Sequence, residues 1–361
     1  MIRTVHLFMA LMLVVSLGMS TAQTIPEYLT ILHLNDTHSN LAPGAPRNTE
    51  GSGTVGGIAR AATIIMSERL IDPNALVLHA GDAFIGDPVF NLSMSTMLQP
   101  ELQMLHALGI DAMAVGNHEF DLGPDALLGC LATTFDESGF PLLSANLDYS
   151  NAPEHDLQHY VFPHTIIERG NLKIGIFGLT TPTVRRDRTA DPLIVLDNIE
   201  AIAAQQVTAL KAEGCDIIIL LSHLGRYYDL LVAGNAPGIN LIVGGHDHAR
   251  IEEALELKTG GGTTYVVQCG AFYRSMGKTV LKIEDGVVTL EDYTLIDLDE
   301  TVQELPSLKS DCDDIYEQLD LATGGMLLQT VAVATGDLTE EIPDCRVGGF
   351  LDTHVGNLCA D

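Results

Sequence analysis

Short apolar runs alternate along the chain with longer stretches whose apolar residues recur every three or four positions, and small polar clusters close many of the apolar runs. Residues 28–34 form the first such run and read as a strand. The spacing of Ile58, Ala61, Ala62, Ile65 and Met66 predicts a helix over 57–70. A second strand is expected at 75–80. A helix follows over 94–108, with Pro100 as a kink or a restart, and then a strand at 111–115. Pro124 suits the first turn of the next helix. The second half repeats the pattern, with a strand at 172–179, a helix at 198–212, and strands at 216–221 and 239–243. Strands at 265–268, 278–284 and 287–295 complete the reading, the last two joined by an Asp285-Gly286 hairpin turn. Alternation of this kind predicts an α/β fold.

Composition narrows what such a fold can bind. With 361 residues and 46% hydrophobic content, the chain can build a large core and has room for two domains. Its 48 acidic residues against 18 Lys and Arg give a formal charge of −30, which repels a nucleic-acid polymer. A small phosphate ester is repelled as well, unless local cations reverse the field, and bound divalent metals do that. The N-terminus reads as an export signal over 1–22, with Arg3 as its positive region. Residues 5–19 are apolar apart from His6 and Ser16, and Ser20-Thr21-Ala22 offers small residues for cleavage. This predicts an extracytoplasmic location, an uncleaved anchor being the alternative, and no later segment is long and apolar enough to span a bilayer. Six cysteines permit disulfides. Cys215 and Cys269 adjoin strand-like runs and are expected as buried thiols, while Cys312, Cys345 and Cys359 lie in polar sequence and are expected to be oxidised.

The polar clusters that close the apolar runs are chemically alike. They are Asn35-Asp36-Thr37-His38, Gly81-Asp82, Gly116-Asn117-His118-Glu119, Ser222-His223 and Gly244-Gly245-His246-Asp247-His248. Singly, each has a plain reading as a turn, a cap or a satisfied core histidine. Residues two apart after a strand can point the same way, so Asp36 with His38, and His246 with His248, can each share a metal. Asp82 can bridge two cations, and the Asn117 carbonyl is a hard neutral ligand. Loops after strand ends converge on one crevice in open α/β sheets, which places all five clusters at a single site. Imidazole, carboxylate and amide donors without cysteine suit a hydrolytic pair of divalent ions rather than a structural zinc. Two such ions, roughly 3.5–4 Å apart, clamp phosphoryl oxygens. His118 beside Asn117 can reach a departing alkoxide, with an acidic neighbour to orient it; the alternative is a third ligand on the second ion. Glu119 is expected to serve structure.

These motifs resemble those of the calcineurin-like metallophosphoesterases, and more narrowly the exported 5′-nucleotidase family. The stretches 31–38, 81–86, 111–121, 144–146 and 221–225 carry the likeness, which runs from about Leu29 to the end of the chain. The resemblance implies a four-layer αββα sandwich over 23–300, a linker helix over 301–325 and only the start of a second domain over 326–361. It makes Asp36, His38, Asp82 and His248 ligands of one metal, and Asp82, Asn117, His223 and His246 ligands of the other, the ions being Mn, Zn or similar. His118 becomes a catalytic histidine that binds no metal, with Asp121 as its partner. His33 and Asn146 are expected to support the ligand loops, and Gly56, Gly57 and Arg60 to fix the packing of a helix start. The implied reaction is hydrolysis of nucleoside 5′-monophosphates. A 2′,3′-cyclic nucleotide phosphodiesterase, a thiosulfate-ester hydrolase and a metal-binding remnant without turnover are the alternatives. The family usually continues well beyond this chain's end and carries an arginine shortly before a Gly-Asn-Leu; here Arg346 stands ten residues before Gly356.

Overall fold

The computed structural model describes residues 27–47, 53–135 and 139–325. The expected signal at 1–22, the expected start of a second domain at 326–361, and Cys345, Arg346 and Cys359 lie outside the described residues. Two sheets form the centre. The first has seven strands in the order Val287–Asp297, Ser275–Glu284, Glu27–Leu34, Leu76–His79, Ala112–Ala114, Leu142–Leu143 and Val161–Phe162. The second has six, in the order Leu255–Thr259, Gly262–Val267, Leu241–Val243, Ile217–His223, Leu172–Thr180 and His164–Arg169. The central strands of both pair in parallel, and antiparallel strands close three of the four edges.

Strict alternation within the strands builds the layers. Ile217, Ile219 and Leu221 face the other sheet, where they meet Ile31, Leu78 and Ala114 in one buried cluster. Ile218 and Leu220 face outward, under the helices Ile199–Ala212 and Arg226–Asn235. On the first sheet, Leu32, Leu34 and Val77 face outward beneath the helices Ile58–Ile71, Pro100–Ala107 and Pro124–Thr134. Strands covered on both sides read as continuous apolar runs, which is why the sequence shows runs rather than alternation. The result is the four-layer αββα sandwich. The Asp285-Gly286 turn has positive φ at both residues, 53° and 75°, as a tight hairpin requires.

The stretch expected as a helix over 94–108 restarts at Pro100, one of the two possibilities that proline allowed, and forms Val89–Thr96 and Pro100–Ala107; three other expectations need correction. Met97 turns left-handed at φ 58°, and Gln99 then caps the new helix by accepting from the Glu101 N–H at 3.0 Å. Cys312 is a free thiol buried in the core, facing the Leu41 carbonyl and the Met104 sulfur, because it falls on the inner stripe of Pro306–Ala322 with Leu308 and Leu319. His33 does not brace the ligand loops. Its ring stacks on Tyr293 over Gly277, and neither nitrogen has a partner among the described residues. Asn146 ties Thr180 and Leu196 rather than a ligand loop. Among the described residues no helix is long and apolar enough to cross a membrane.

The two sheets touch backbone to backbone at Gly178. A Cβ there would run into the Leu143 carbonyl, and the Gly178 carbonyl accepts from the Ala145 N–H at 2.8 Å. Neither backbone can yield without breaking sheet hydrogen bonds. Gly178→Ala is therefore expected to cost roughly 3 kcal/mol, at the upper end for overpacking. Urea unfolding of the two proteins measures it, and a loss below about 0.5 kcal/mol would refute this account of the sheet contact.

Candidate metal centre

Each of the five polar clusters sits where a central strand ends. Asp36 and His38 follow Glu27–Leu34, Asp82 follows Leu76–His79, and Asn117 follows Ala112–Ala114. His223 ends its own strand, and His246 and His248 follow Leu241–Val243. The strands are parallel, so these ends point one way and their loops meet. Asp36, His38 and His248 bring donor atoms within 4.8 Å of one another, and Asp82, His223 and His246 do the same. Asn117 joins the second group, its Oδ1 lying 2.8 Å from His246 Nδ1 and 3.2 Å from His223 Nε2. Asp82 stands between the groups, with Oδ2 at 3.0 Å from His223 Nε2 and 3.9 Å from His38 Nε2. The structure thus brings all seven expected ligands together.

Hydrogen bonds behind the rings decide which nitrogens face inward. His38 Nδ1 lies 2.8 Å from the Ile85 carbonyl and 3.2 Å from that of Phe84, so it carries the proton. Its Nε2 keeps a lone pair and faces His248 Nε2 at 3.1 Å. His223 Nδ1 donates likewise to the Ala80 carbonyl at 2.7 Å, leaving Nε2 for Asp82 and Asn117. Carbonyls that fix the outer nitrogen are the usual support of a metal-binding imidazole. Burial lowers the pKa of His38, His246 and His248, to about 4 for His246, which keeps those rings neutral and able to ligate. His223 departs from this. Burial opposes its charge, yet Asp82 draws it up to about 10, so a proton and a metal compete for one lone pair. Burial also lifts the Asp36 carboxyl to about 7. Burial works against Asp82 too, but His223, His118 and His38 hold that carboxylate well below its usual range. Three neutral imidazoles, an amide oxygen and buried carboxylates with inward lone pairs fit two divalent cations, the proton on His223 giving way where a cation binds.

Five of the seven lie in the left-handed region: Asp36 at φ 49°, His38 at 52°, Asp82 at 59°, His246 at 83° and His248 at 53°. Such backbone is strained for residues with a Cβ and persists only where its surroundings over-determine it. The Asp36 N–H donates to the Gly81 carbonyl and the His38 N–H to that of Asp82, which locks the first two loops together. The His246 N–H donates to the Asp36 carboxylate at 3.0 Å. Gly116 is required here, because a Cβ would collide with the Asp82 carboxylate.

His118 lies at the edge of this cluster. Its ring centroid is 5.1 Å from that of His38, and its Nδ1 is 2.6 Å from Asp121 Oδ2. That hydrogen bond raises the His118 pKa to about 9, with help from the Asp82 charge and against the effect of burial. His118 is about one-third exposed, unlike Asp36, Asp82 and His223. Motif reading missed two features. Phe272, at φ 59°, forms a wall against both His38 and His248 and donates its N–H to the Asp36 carbonyl. A buried chain also runs from the Gly81 N–H to His79, from His79 to Thr37, and to Glu101, which further accepts from the Tyr273 hydroxyl and the Ser39 N–H. Neither is signalled by sequence spacing, because the partners lie far apart along the chain.

Glu119 is the residue on which two loops hang. Its carboxylate accepts from the Gly116 N–H at 2.6 Å, and from those of Asp82, Ala83 and Phe84 at 3.1, 2.8 and 3.2 Å. Glu119→Ala would strand four buried donors, each costing about 1–3 kcal/mol. The expected outcome is a stability loss of at least about 3 kcal/mol, read by urea unfolding, and weaker metal retention on dialysis. A variant of unchanged stability would show that the loops hold without this carboxylate.

Comparison with known proteins agrees with this geometry. A family model for the calcineurin-like phosphoesterases matches residues 29–250. The 5′-nucleotidase of Bos taurus is 31% identical over 358 residues, covering 93% of this chain and 59% of the relative. The crystal structure of a 5′-nucleotidase precursor from Thermus thermophilus superposes with a TM-score of 0.76 at 30% identity, over 87% of this chain and 62% of that one. The NAD nucleotidase of Haemophilus influenzae gives a TM-score of 0.68 at 25% identity, over 87% of this chain and 63% of its own. The chain therefore spans about three-fifths of the length of these relatives. Every residue of the cluster falls inside the matched region, and the chain belongs to the calcineurin-like phosphoesterase family.

Proposed function

We propose that this chain is a metal-dependent phosphoester hydrolase that converts nucleoside 5′-monophosphates to nucleoside and phosphate. The observation that carries the reading is the convergence of seven nitrogen and oxygen donors in two groups, with the His118–Asp121 pair at their edge. Asp36, His38, Asp82 and His248 would hold one cation, and Asp82, Asn117, His223 and His246 the other, manganese and zinc both suiting such donors. Divalent cations held there supply Lewis acidity toward phosphoryl oxygens and a nucleophile from water at neutral pH. His118 holds a proton at neutral pH and donates it to the departing alkoxide. Asp121 fixes the ring and stabilises its charge. The His118 N–H also donates to Asp82 Oδ1 at 2.9 Å, so the acid and the bridging carboxylate keep a fixed separation. The nucleotide assignment is supported by the relatives named 5′-nucleotidase.

Hydrolysis of AMP and of an aryl phosphate, with Mn²⁺ added to the purified chain, tests the reading. Release of phosphate from AMP supports it. Turnover confined to a 2′,3′-cyclic nucleotide or a thiosulfate ester would overturn the substrate while leaving the centre in place. Metal binding with no turnover of any ester would mark a remnant.

Two further outcomes follow. Elemental analysis should find close to two divalent ions per chain, and Asp82→Ala should lose more than one, since it removes a donor shared by both. A content near one that Asp82→Ala leaves unchanged would refute the two-ion arrangement. His118→Ala should lose about 10²–10⁴-fold in kcat, the usual contribution of a general acid, while its metal content stays at the wild-type level. Asp121→Asn should show a milder form of the same defect. Loss of an ion from His118→Ala would instead make His118 a ligand.

A further inference from the structure

A pocket of about 390 Å³ opens beside the metal centre, with His248 in its wall together with Phe272, Arg274, Arg250, Asp297 and Asp299. Its charged residues are not equivalent. Arg250 is committed to Glu252 and Asp297, at 2.7 Å each. Asp299 accepts from the Thr301 N–H and hydroxyl. Arg274 makes no ion pair among the described residues, in a chain with 48 acidic side chains. Its guanidinium instead lies over the Phe272 ring, 5.6 Å from the centroid. A guanidinium held over a ring and free of a carboxylate keeps N–H donors available, which suits it to an oxyanion.

The backbone fixes that platform. Phe272 and Tyr273 both lie in the left-handed region, at φ 59° and 53°, which bulky residues rarely adopt. The Phe272 N–H is tied to Asp36, and the Tyr273 hydroxyl to buried Glu101 at 2.6 Å. Phe272 is thereby pinned with its centroid 5.1 Å from that of His248 and 5.5 Å from that of His38. Phe272 thus contacts the metal ligands His38 and His248 and also the exposed Arg274.

We infer that this pocket is a second subsite beside the metal centre, which uses Arg274 to recognise an oxyanion on the leaving group. The inference rests on the hydrolase reading for its substrate, but not for its binding. The subsite extends the substrate range beyond nucleoside 5′-monophosphates, whose leaving group offers it no anion, to esters whose leaving group carries a carboxylate or phosphoryl group. Phe272 positions the guanidinium and shields its inner face from water.

Calorimetric titration of the Mn²⁺-loaded full chain with non-hydrolysable ligands tests it. Phenylphosphonate carries one anionic group, while 4-carboxyphenylphosphonate and 1,4-phenylene diphosphonate carry two. The wild type should bind a two-anion ligand on the order of tenfold more tightly, the effect of one charge-assisted hydrogen bond. Preference for both assigns a general oxyanion, and preference for the diphosphonate alone, beyond the twofold its symmetry gives, assigns a phosphoryl group. Arg274→Gln should bring the ratio near one, and Arg274→Lys should keep part of it, having the charge without the fork. Arg226→Gln removes another exposed positive charge next to Gly225 and should retain the preference. A wild-type ratio near one, or a preference that survives Arg274→Gln with the fold intact by circular dichroism, overturns the subsite. The kcat/KM ratio of 4-carboxyphenyl phosphate to phenyl phosphate should follow the same pattern. If no ester is turned over while the binding preference holds, the hydrolase reading fails and the subsite stands.

Discussion

Two carboxylates and four imidazoles packed within a few ångströms of one another, largely out of water, are the constraint this fold has to meet. Ionised groups in such a place are costly unless each is paired or hydrogen-bonded. The chain meets that cost with backbone. Carbonyls of Ile85 and Ala80 take the outer protons of His38 and His223, and the His246 and His118 N–H groups point at Asp36 and Asp82. Backbone dipoles fixed at strand ends do not reorganise when charge changes, so the same arrangement that tolerates the ligands can also stabilise charge developing on a substrate.

This dependence explains why so much of the second layer is polar and buried. Glu119 gathers four N–H groups from two loops, and the chain through His79, Thr37 and Glu101 links the first loop to the second and to Tyr273. A half-satisfied network of this kind would be worse than an apolar core. Glu119 is satisfied wholly by backbone N–H groups, and the chain through His79 and Glu101 is anchored to backbone at Gly81 and Ser39. Asp247, exposed between His246 and His248, accepts from the Gln268 side chain and from the Arg226 N–H. Left-handed backbone at five ligands is held by these contacts, so the strain lies where the donors must turn inward.

The layers and the ligand clusters were legible because both follow from short-range pattern. Apolar runs such as 217–221 mark strands buried on both faces, and a histidine or aspartate just past a run must lie at a sheet edge. What escaped the sequence depends on partners distant along the chain. Cys312 lies in polar sequence and was expected to be oxidised, but the apolar stripe of its helix turns it inward as a free thiol against Leu41 and Met104. Pro100 marked the restart of the second helix, but no Gly marked the left-handed turn at Met97 that ends the first. Phe272 carries no motif, since its role comes from a left-handed turn and from contacts with histidines far away in sequence. Residue types announce a centre of this kind, whereas the shell around it is written in tertiary contacts.

Charge poses the remaining problem, because a chain of net charge −30 has to accept an anionic ester. Screening leaves exposed charges little influence beyond about 8–10 Å, so the potential that matters is local. Several arginines are spent on carboxylates: Arg250 on Asp297 and Glu252, Arg185 on Asp197, and Arg69 and Arg169 on Asp111. The positive field then comes from His118, from the cations the donors are built to hold, and from the one guanidinium in the adjoining pocket without a carboxylate partner among the described residues. An acidic surface with a few cationic points repels polyanions broadly while admitting a small ligand whose charges match those points. Selectivity in such a protein resides in the placement of its few cationic points more than in the sign of its overall charge.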